Sequence, residues 1–123
     1  MPKTVAVIGA SSSRAKFGNK ALRAFLAQGF HVFPINPNET EVEGLRTYAS
    51  VLDVEGPIEM ATVYVQPDVT LRLLEEFQQK GIQEIWVNPG AEDDAVMAEA
   101  RRRKMNIYFA CSIIGIGRSP GDF

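Results

Sequence analysis

Apolar residues gather in five short runs, at positions 5–8, 31–35, 61–65, 84–87 and 106–110, each bounded by Gly, Pro, Asn or Asp. Runs of four or five β-branched and aromatic residues between such breakers predict strands. Several are almost continuously apolar instead of alternating, as expected of strands covered on both faces in a parallel sheet.

Between the runs the spacing changes to that of helices. Residues 19–28 place Leu22, Phe25 and Leu26 on one side and stop at Gly29, a natural helix end. Residues 67–80 repeat Val69, Leu73 and Phe77 at i+4, with Pro67 suited to the first turn and Gly81 to the stop. Residues 91–104 open with Glu92, Asp93 and Asp94 and close with Arg101, Arg102, Arg103 and Lys104, an order that complements the helix dipole. A shorter helix is predicted over 49–53. Strands alternating with helices imply right-handed crossovers. The expected fold class is therefore α/β, a single-domain Rossmann-like three-layer sandwich with a five-stranded parallel sheet of order 3-2-1-4-5. One domain spans 1–123, with its core at about 3–111 and a tail at 112–123. Ligands of such sheets bind beyond the carboxyl ends of the strands, where the strand order reverses. That rule selects four loops, at 9–20, 36–45, 66–68 and 88–91.

Composition narrows the ligand. The chain has 123 residues, with 13 Lys and Arg against 15 Asp and Glu, a formal net charge of −2. Nucleic-acid modules carry a basic face, so nucleic acid is not an expected partner. No run approaches the roughly 18 apolar residues of a membrane span, and residues 1–4 lack the features of a signal peptide. One cysteine, Cys111, makes no internal disulfide and no metal cluster. A cytoplasmic protein is expected, without membrane or metal.

The loop after the first strand carries the clearest chemistry. It reads Gly9-Ala10-Ser11-Ser12-Ser13-Arg14-Ala15-Lys16-Phe17-Gly18-Asn19-Lys20. Gly9 permits a sharp exit from the strand. Ser11 and Ser12 supply hydroxyls and N–H groups, and Arg14, Lys16 and Lys20 bring positive charge to a helix start, where unpaired N–H groups favour phosphate. The dinucleotide fingerprint G-x-G-x-x-G fails, because Ser11 and Arg14 stand at its second and third glycines. The second strand ends Ile35-Asn36-Pro37-Asn38 without the acidic residue that holds a ribose diol, Glu39 and Glu41 lying inside the next loop. No P-loop occurs, and Gly9-Ala10 and Gln66-Pro67 replace the acids of a phosphoacceptor module.

The runs Val5-Ala6-Val7-Ile8-Gly9-Ala10-Ser11, Val32-Phe33-Pro34-Ile35-Asn36-Pro37-Asn38 and Tyr48-Ala49-Ser50-Val51-Leu52 together resemble the stand-alone CoA-binding proteins. Their fold is that of the CoA-binding domain of the succinyl-CoA synthetase alpha subunit and of NDP-forming acyl-CoA synthetases. The resemblance runs to about Cys111. It implies coenzyme A, or an acyl-CoA, as ligand. Gly9, Ala10, Ser11, Ser12 and Arg14 match the phosphate loop, with Lys16, Gly18 and Lys20 beside it. Asn36, Pro37 and Asn38 match the strand end near adenosine. Val65, Gln66 and Pro67, with Asn88, Pro89 and Gly90, match the ends where adenine and pantetheine pass. At Gly90 a Cβ would stand in the way of close backbone approach. The fifth strand runs into Cys111-Ser112-Ile113, where many relatives have Cys-Pro, and the tail has no recognised counterpart.

No catalytic set of Ser-His-acid, paired-carboxylate or metal type can be placed at strand ends. His31 opens its strand at the opposite edge, Cys111 reads as a small buried hydrophobe, and Arg101–Lys104 as helix-dipole compensation. The expected function is non-catalytic binding of coenzyme A or an acyl-CoA. Two alternatives stand beside it, an NAD(P)-binding redox protein and the CoA-binding subunit of a split acyl-CoA ligase. The expected partner is a small-molecule nucleotide ligand, with a second copy of the chain or a ligase partner chain as the protein partners the reading leaves open.

Overall fold

The side chains of the first strand point alternately to two cores. The computed structural model describes residues 3–123. In chain order it contains β1 (Thr4–Ile8), α1 (Phe17–Ala27), β2 (His31–Ile35), the short hairpin β3 (Glu41–Val42) and β4 (Leu45–Arg46), β5 (Met60–Val63), α2 (Pro67–Lys80), β6 (Glu84–Val87), α3 (Asp94–Arg102), β7 (Ile107–Tyr108) and α4 (Ser112–Gly115). Val5 and Val7 pack with Leu22, Phe25, Met60 and Ile113 beneath α1 and α4. Ala6 and Ile8 pack with Leu74, Phe77, Ile85 and Ala100 beneath α2 and α3. Helices therefore cover both faces, which is why the strand runs are apolar without alternation.

All five main strands are parallel, in the order β2-β1-β5-β6-β7. Beyond β2, Tyr48 adds one parallel bridge to Ile35. Asn36 N–H donates to Tyr48 O at 2.9 Å and Tyr48 N–H to Pro34 O at 3.0 Å. With that bridge as the third position, the sheet has the Rossmann-like order 3-2-1-4-5, and β7 is added at the far edge. Tyr48 holds the third position, and the run at 61–65 lies beside β1 as β5.

Helix α2 has the bounds its Pro and Gly predict, with Gly81 in the left-handed region at φ 77°. Helix α1 begins two residues earlier than its apolar stripe suggests, at Phe17. Helix α3 starts at Asp94, because Asp93 caps it by accepting the Val96 N–H at 2.9 Å. Residues 49–53 form only a 3-10 turn at Val51–Asp53.

The fifth run pairs over just Ile107 and Tyr108. The chain then leaves the edge so that Ser112 N–H can reach Asn88 Oδ1 at 2.8 Å. The segment set apart as a tail is part of the packed structure. Ile113 is fully buried, Gln28 Nε2 donates to Ile116 O at 2.6 Å and Arg118 Nε to Gln28 Oε1 at 3.0 Å. The core therefore extends past residue 111.

Candidate functional site

Strand order reverses at β1, whose neighbours β2 and β5 carry the chain away in opposite directions along the sheet. Two cavities open over its carboxyl end and share Gly9, Asn36, Asn38 and Val65. One, of about 480 Å³, runs between β2, the 3-10 turn and α2; the other, of about 630 Å³, lies between the first loop and the loop after β6. Both sizes suit a small-molecule ligand.

Glycine shapes the shared floor. Gly9 has φ +86°, and a Cβ there would lie 3.0 Å from Tyr64 O and from Val65 Cγ1. Gly18 brings the first turn of α1 so near the loop that a Cβ would stand 2.1 Å from Gly9 O. Helices α1 and α2 both start without a side-chain cap, at Lys16 and Gln66. Asn36 ties the strand ends together: its Nδ2 donates to Ala10 O at 2.8 Å and its Oδ1 accepts Asn38 N–H at 2.8 Å.

Of the residues expected at the site, Gly9, Ser11, Lys16, Gly18, Asn36, Pro37, Asn38, Val65, Gln66, Pro89 and Gly90 lie on the cavity walls. Around Gly90 the protein leaves a Cβ open space, and its φ of +98° is what calls for glycine there. The others lie elsewhere. Ala10 is buried under the loop. Pro67 is the first residue of α2, and Lys20 places its ammonium 5.3 Å from the centre of the Phe17 ring.

Two of these residues have partners of their own in the structure. Arg14 does not face the cavities. Its Nη2 and Nε donate to the Glu43 carboxylate at 2.9 and 3.3 Å, and Asn19 Nδ2 donates to the same group at 3.1 Å. Glu43 stands at the tip of the β3–β4 hairpin with φ 49°, so the hairpin clasps the loop after β1 from outside. The Arg14 guanidinium, followed by Asn19, holds the Glu43 carboxyl at about 2. Asn88 is buried, with its amide nitrogen donating to Thr62 Oγ1 at 2.7 Å and Val63 O at 3.0 Å. Its carbonyl accepts Ser112 N–H, and Ser112 Oγ meets Thr62 Oγ1 at 2.7 Å and Tyr64 OH at 3.0 Å. Asn88 thus fastens α4 to the sheet, and Pro89, Gly90 and Ala91 carry that loop to the cleft.

Sequence reading missed the α2 wall. Val69, Arg72, Leu73, Glu76 and Phe77 line the smaller cavity with Ser50 and Val51. The i+4 stripe was visible, but it reads equally well as plain core. Arg72 has no carboxylate partner among the described residues, whereas Glu76 accepts a hydrogen bond from Ser50 Oγ. The larger cavity adds Phe17, Glu39, Tyr64 and Ala91. Glu39 Oε2 accepts the Ser12 N–H at 2.7 Å, and the Ser12 side chain, then that N–H, with Lys16 beside them, lower the carboxyl pKa. Burial pushes the Tyr64 hydroxyl up to about 12, so it stays protonated and serves as a hydrogen-bonding group.

The cleft thus offers an apolar pocket with one unpaired arginine, a polar pocket with a lysine and an uncapped helix start, and glycine floors between them. Comparison with known proteins gives the chain's relatives. The chain is 40% identical over 81 residues to an ADP-forming acetate–CoA ligase of Methanocaldococcus jannaschii, covering 66% of this chain and 12% of the ligase. It is 34% identical over 82 residues to the alpha subunit of the ADP-forming acetate–CoA ligase II of Pyrococcus furiosus, covering 66% of this chain and 18% of that one. The chain therefore spans less than a fifth of either relative. A conserved hypothetical protein from Pyrococcus furiosus superposes with a TM-score of 0.84 at 31% identity, covering 92% of this chain and 98% of the other. The family model described as "CoA binding domain" matches residues 3–116, and the chain belongs to that family, similar to the CoA-binding portion of the ADP-forming ligases.

Proposed function

We propose that the protein binds coenzyme A or an acyl-CoA as a recognition module and performs no chemistry of its own. The observation that carries this reading is the pair of cavities joined at Gly9 over the strand ends, in a chain of the CoA-binding family. An extended ligand with a flat base, a diphosphate and a long arm needs two connected pockets of different character. The smaller, lined by Val65, Val69, Leu73 and Phe77, suits adenine, with Arg72 at hand for the 3′-phosphate. The diphosphate fits at Lys16 and the uncapped start of α1, where unpaired N–H groups and the helix dipole favour anions. Pro89 and Gly90 border the exit for the pantetheine arm. Native mass spectrometry of freshly purified protein, with thermal melts in CoA and in NADPH, tests the reading. A ligand that binds only the native state raises Tm, so CoA should raise it and NADPH should not. A shift with NADPH alone would establish the redox alternative.

A second reading is favoured by the Pyrococcus relative, which is an alpha subunit of a ligase. On it, this chain supplies CoA binding to a partner chain that supplies the catalytic residues. Recovery of one stoichiometric partner on affinity purification would support this arrangement, and a lone protein that binds CoA would support the first.

A further inference from the structure

Two glutamates reach the phosphate loop, and they do different things there. Glu43 lies outside both cavities and takes up Arg14 and Asn19. Glu39 lies on the wall of the larger cavity, near Lys16, and its carboxylate accepts a loop N–H, that of Ser12, at 2.7 Å. A carboxylate oxygen accepting a backbone N–H is the contact a phosphate oxygen would make at the same place.

We propose that Glu39 is a built-in competitor of the ligand's phosphate: its side chain occupies the Ser12 N–H, and a phosphate gains that group only by displacing the carboxylate. The inference rests on reading the cleft as the site of a phosphate-bearing ligand. The local geometry suits an exchange of this kind. Glu39 is held through its main chain, its N–H donating to Asn36 O at 3.4 Å and its carbonyl accepting the Thr47 hydroxyl. The side chain can therefore swing on its own rotamers without unfolding the loop. Lys16 remains in the cavity to meet the incoming anion. Glu39 thus sets how strongly the loop discriminates between phosphate-bearing and phosphate-free ligands. In the empty protein it also keeps an N–H of the loop satisfied.

Titration calorimetry on Glu39→Gln and Glu39→Ala, with CoA, inorganic pyrophosphate and pantetheine as probes, tests the proposal. The side chain is on the surface of a loop, and thermal melts confirm that each variant is folded. Both variants should bind CoA and pyrophosphate about two- to tenfold more tightly than the parent, the span of one ordinary hydrogen bond. Affinity for pantetheine, which has no phosphate, should not change. Equal or weaker CoA binding in both variants, with CoA binding intact in the parent, overturns the proposal and makes Glu39 a ligand contact or a bystander. If the parent does not bind CoA, the proposed function fails and the pyrophosphate arm still decides. Tighter pyrophosphate binding in the variants keeps the competitor, whereas unchanged or undetectable binding rejects it.

Discussion

Gly18→Ala puts two opposing effects at one position of the cleft. Gly18 is the second residue of α1. Alanine there gains helix propensity, up to about 1 kcal/mol in a helix interior. Against this, the new methyl would lie 2.1 Å from the carbonyl oxygen of Gly9 and 3.1 Å from its carbon. Ordinary contact begins at 3.4 Å, so the two backbones must part by more than an ångström. Both obstructing atoms are main chain, and no rotamer change relieves the contact. Overpacking of this sort costs typically 1–3 kcal/mol, and the steric effect should win. A net loss of about 1–2 kcal/mol is expected, with a fall in Tm of roughly 4–8 °C. Urea denaturation followed by circular dichroism measures it, with the m-value unchanged if the denatured state is unaltered. CoA affinity should fall as well, because the loop and the helix start are pushed apart at the site. Gly29→Ala is the control. Its φ of +86° makes alanine unfavourable, but a Cβ there meets nothing within 4 Å, so stability drops while ligand affinity stays. A Gly18→Ala variant with an unchanged or higher urea midpoint would refute the argument, since helix propensity would then outweigh a contact that had to be absent.

Other consequences can be checked directly. The Glu43 carboxyl titrates at about 2 instead of its ordinary 4.5; with a depressed folded-state pKa, the clasp on Arg14 is fully present above the ordinary value and is lost only as pH falls through about 2. A carboxyl carbon titration by NMR with a midpoint near 4.5 would show that the pair does not form. Asn88→Ala leaves the buried Ser112 N–H without its acceptor, a loss of about 1–3 kcal/mol in urea denaturation, while CoA affinity measured well below Tm stays as it was. A change in affinity without a change in stability would return Asn88 to the ligand. Arg72→Ala should weaken CoA on the order of tenfold and dephospho-CoA much less; equal losses for both ligands by calorimetry would remove the 3′-phosphate contact.

Local rules were enough wherever one residue decides its own neighbourhood. Pro67 and Gly81 bound α2 because a missing N–H is harmless at a helix start and a left-handed backbone is open to glycine at its end. The apolar runs gave β1, β2 and β6 almost to the residue, because burial on both faces confines polar residues to their first positions, Thr4, His31 and Glu84. Gly9 was legible for the same reason: only a residue without a Cβ leaves β1 with φ +86° against Tyr64 O.

Which charges face the cleft was decided by the tertiary structure. Arg14, in a serine-rich loop, has every local attribute of a phosphate ligand, yet a hairpin tip 29 residues later takes it as an ion-pair partner. Arg72 stands beside the i+4 stripe of α2 with no ligand signal of its own, and it comes to the cavity wall with Val69, Leu73 and Glu76 of that helix. Asn88 is drawn into the core by Thr62, 26 residues before it, and Ser112, 24 residues after it. Secondary structure follows from the steric and hydrogen-bonding preferences of neighbours in sequence, which residue order records. A side chain's electrostatic partner is whatever the packed layers place within about 3 Å, and that distance is set only once the sheet has closed against its helices.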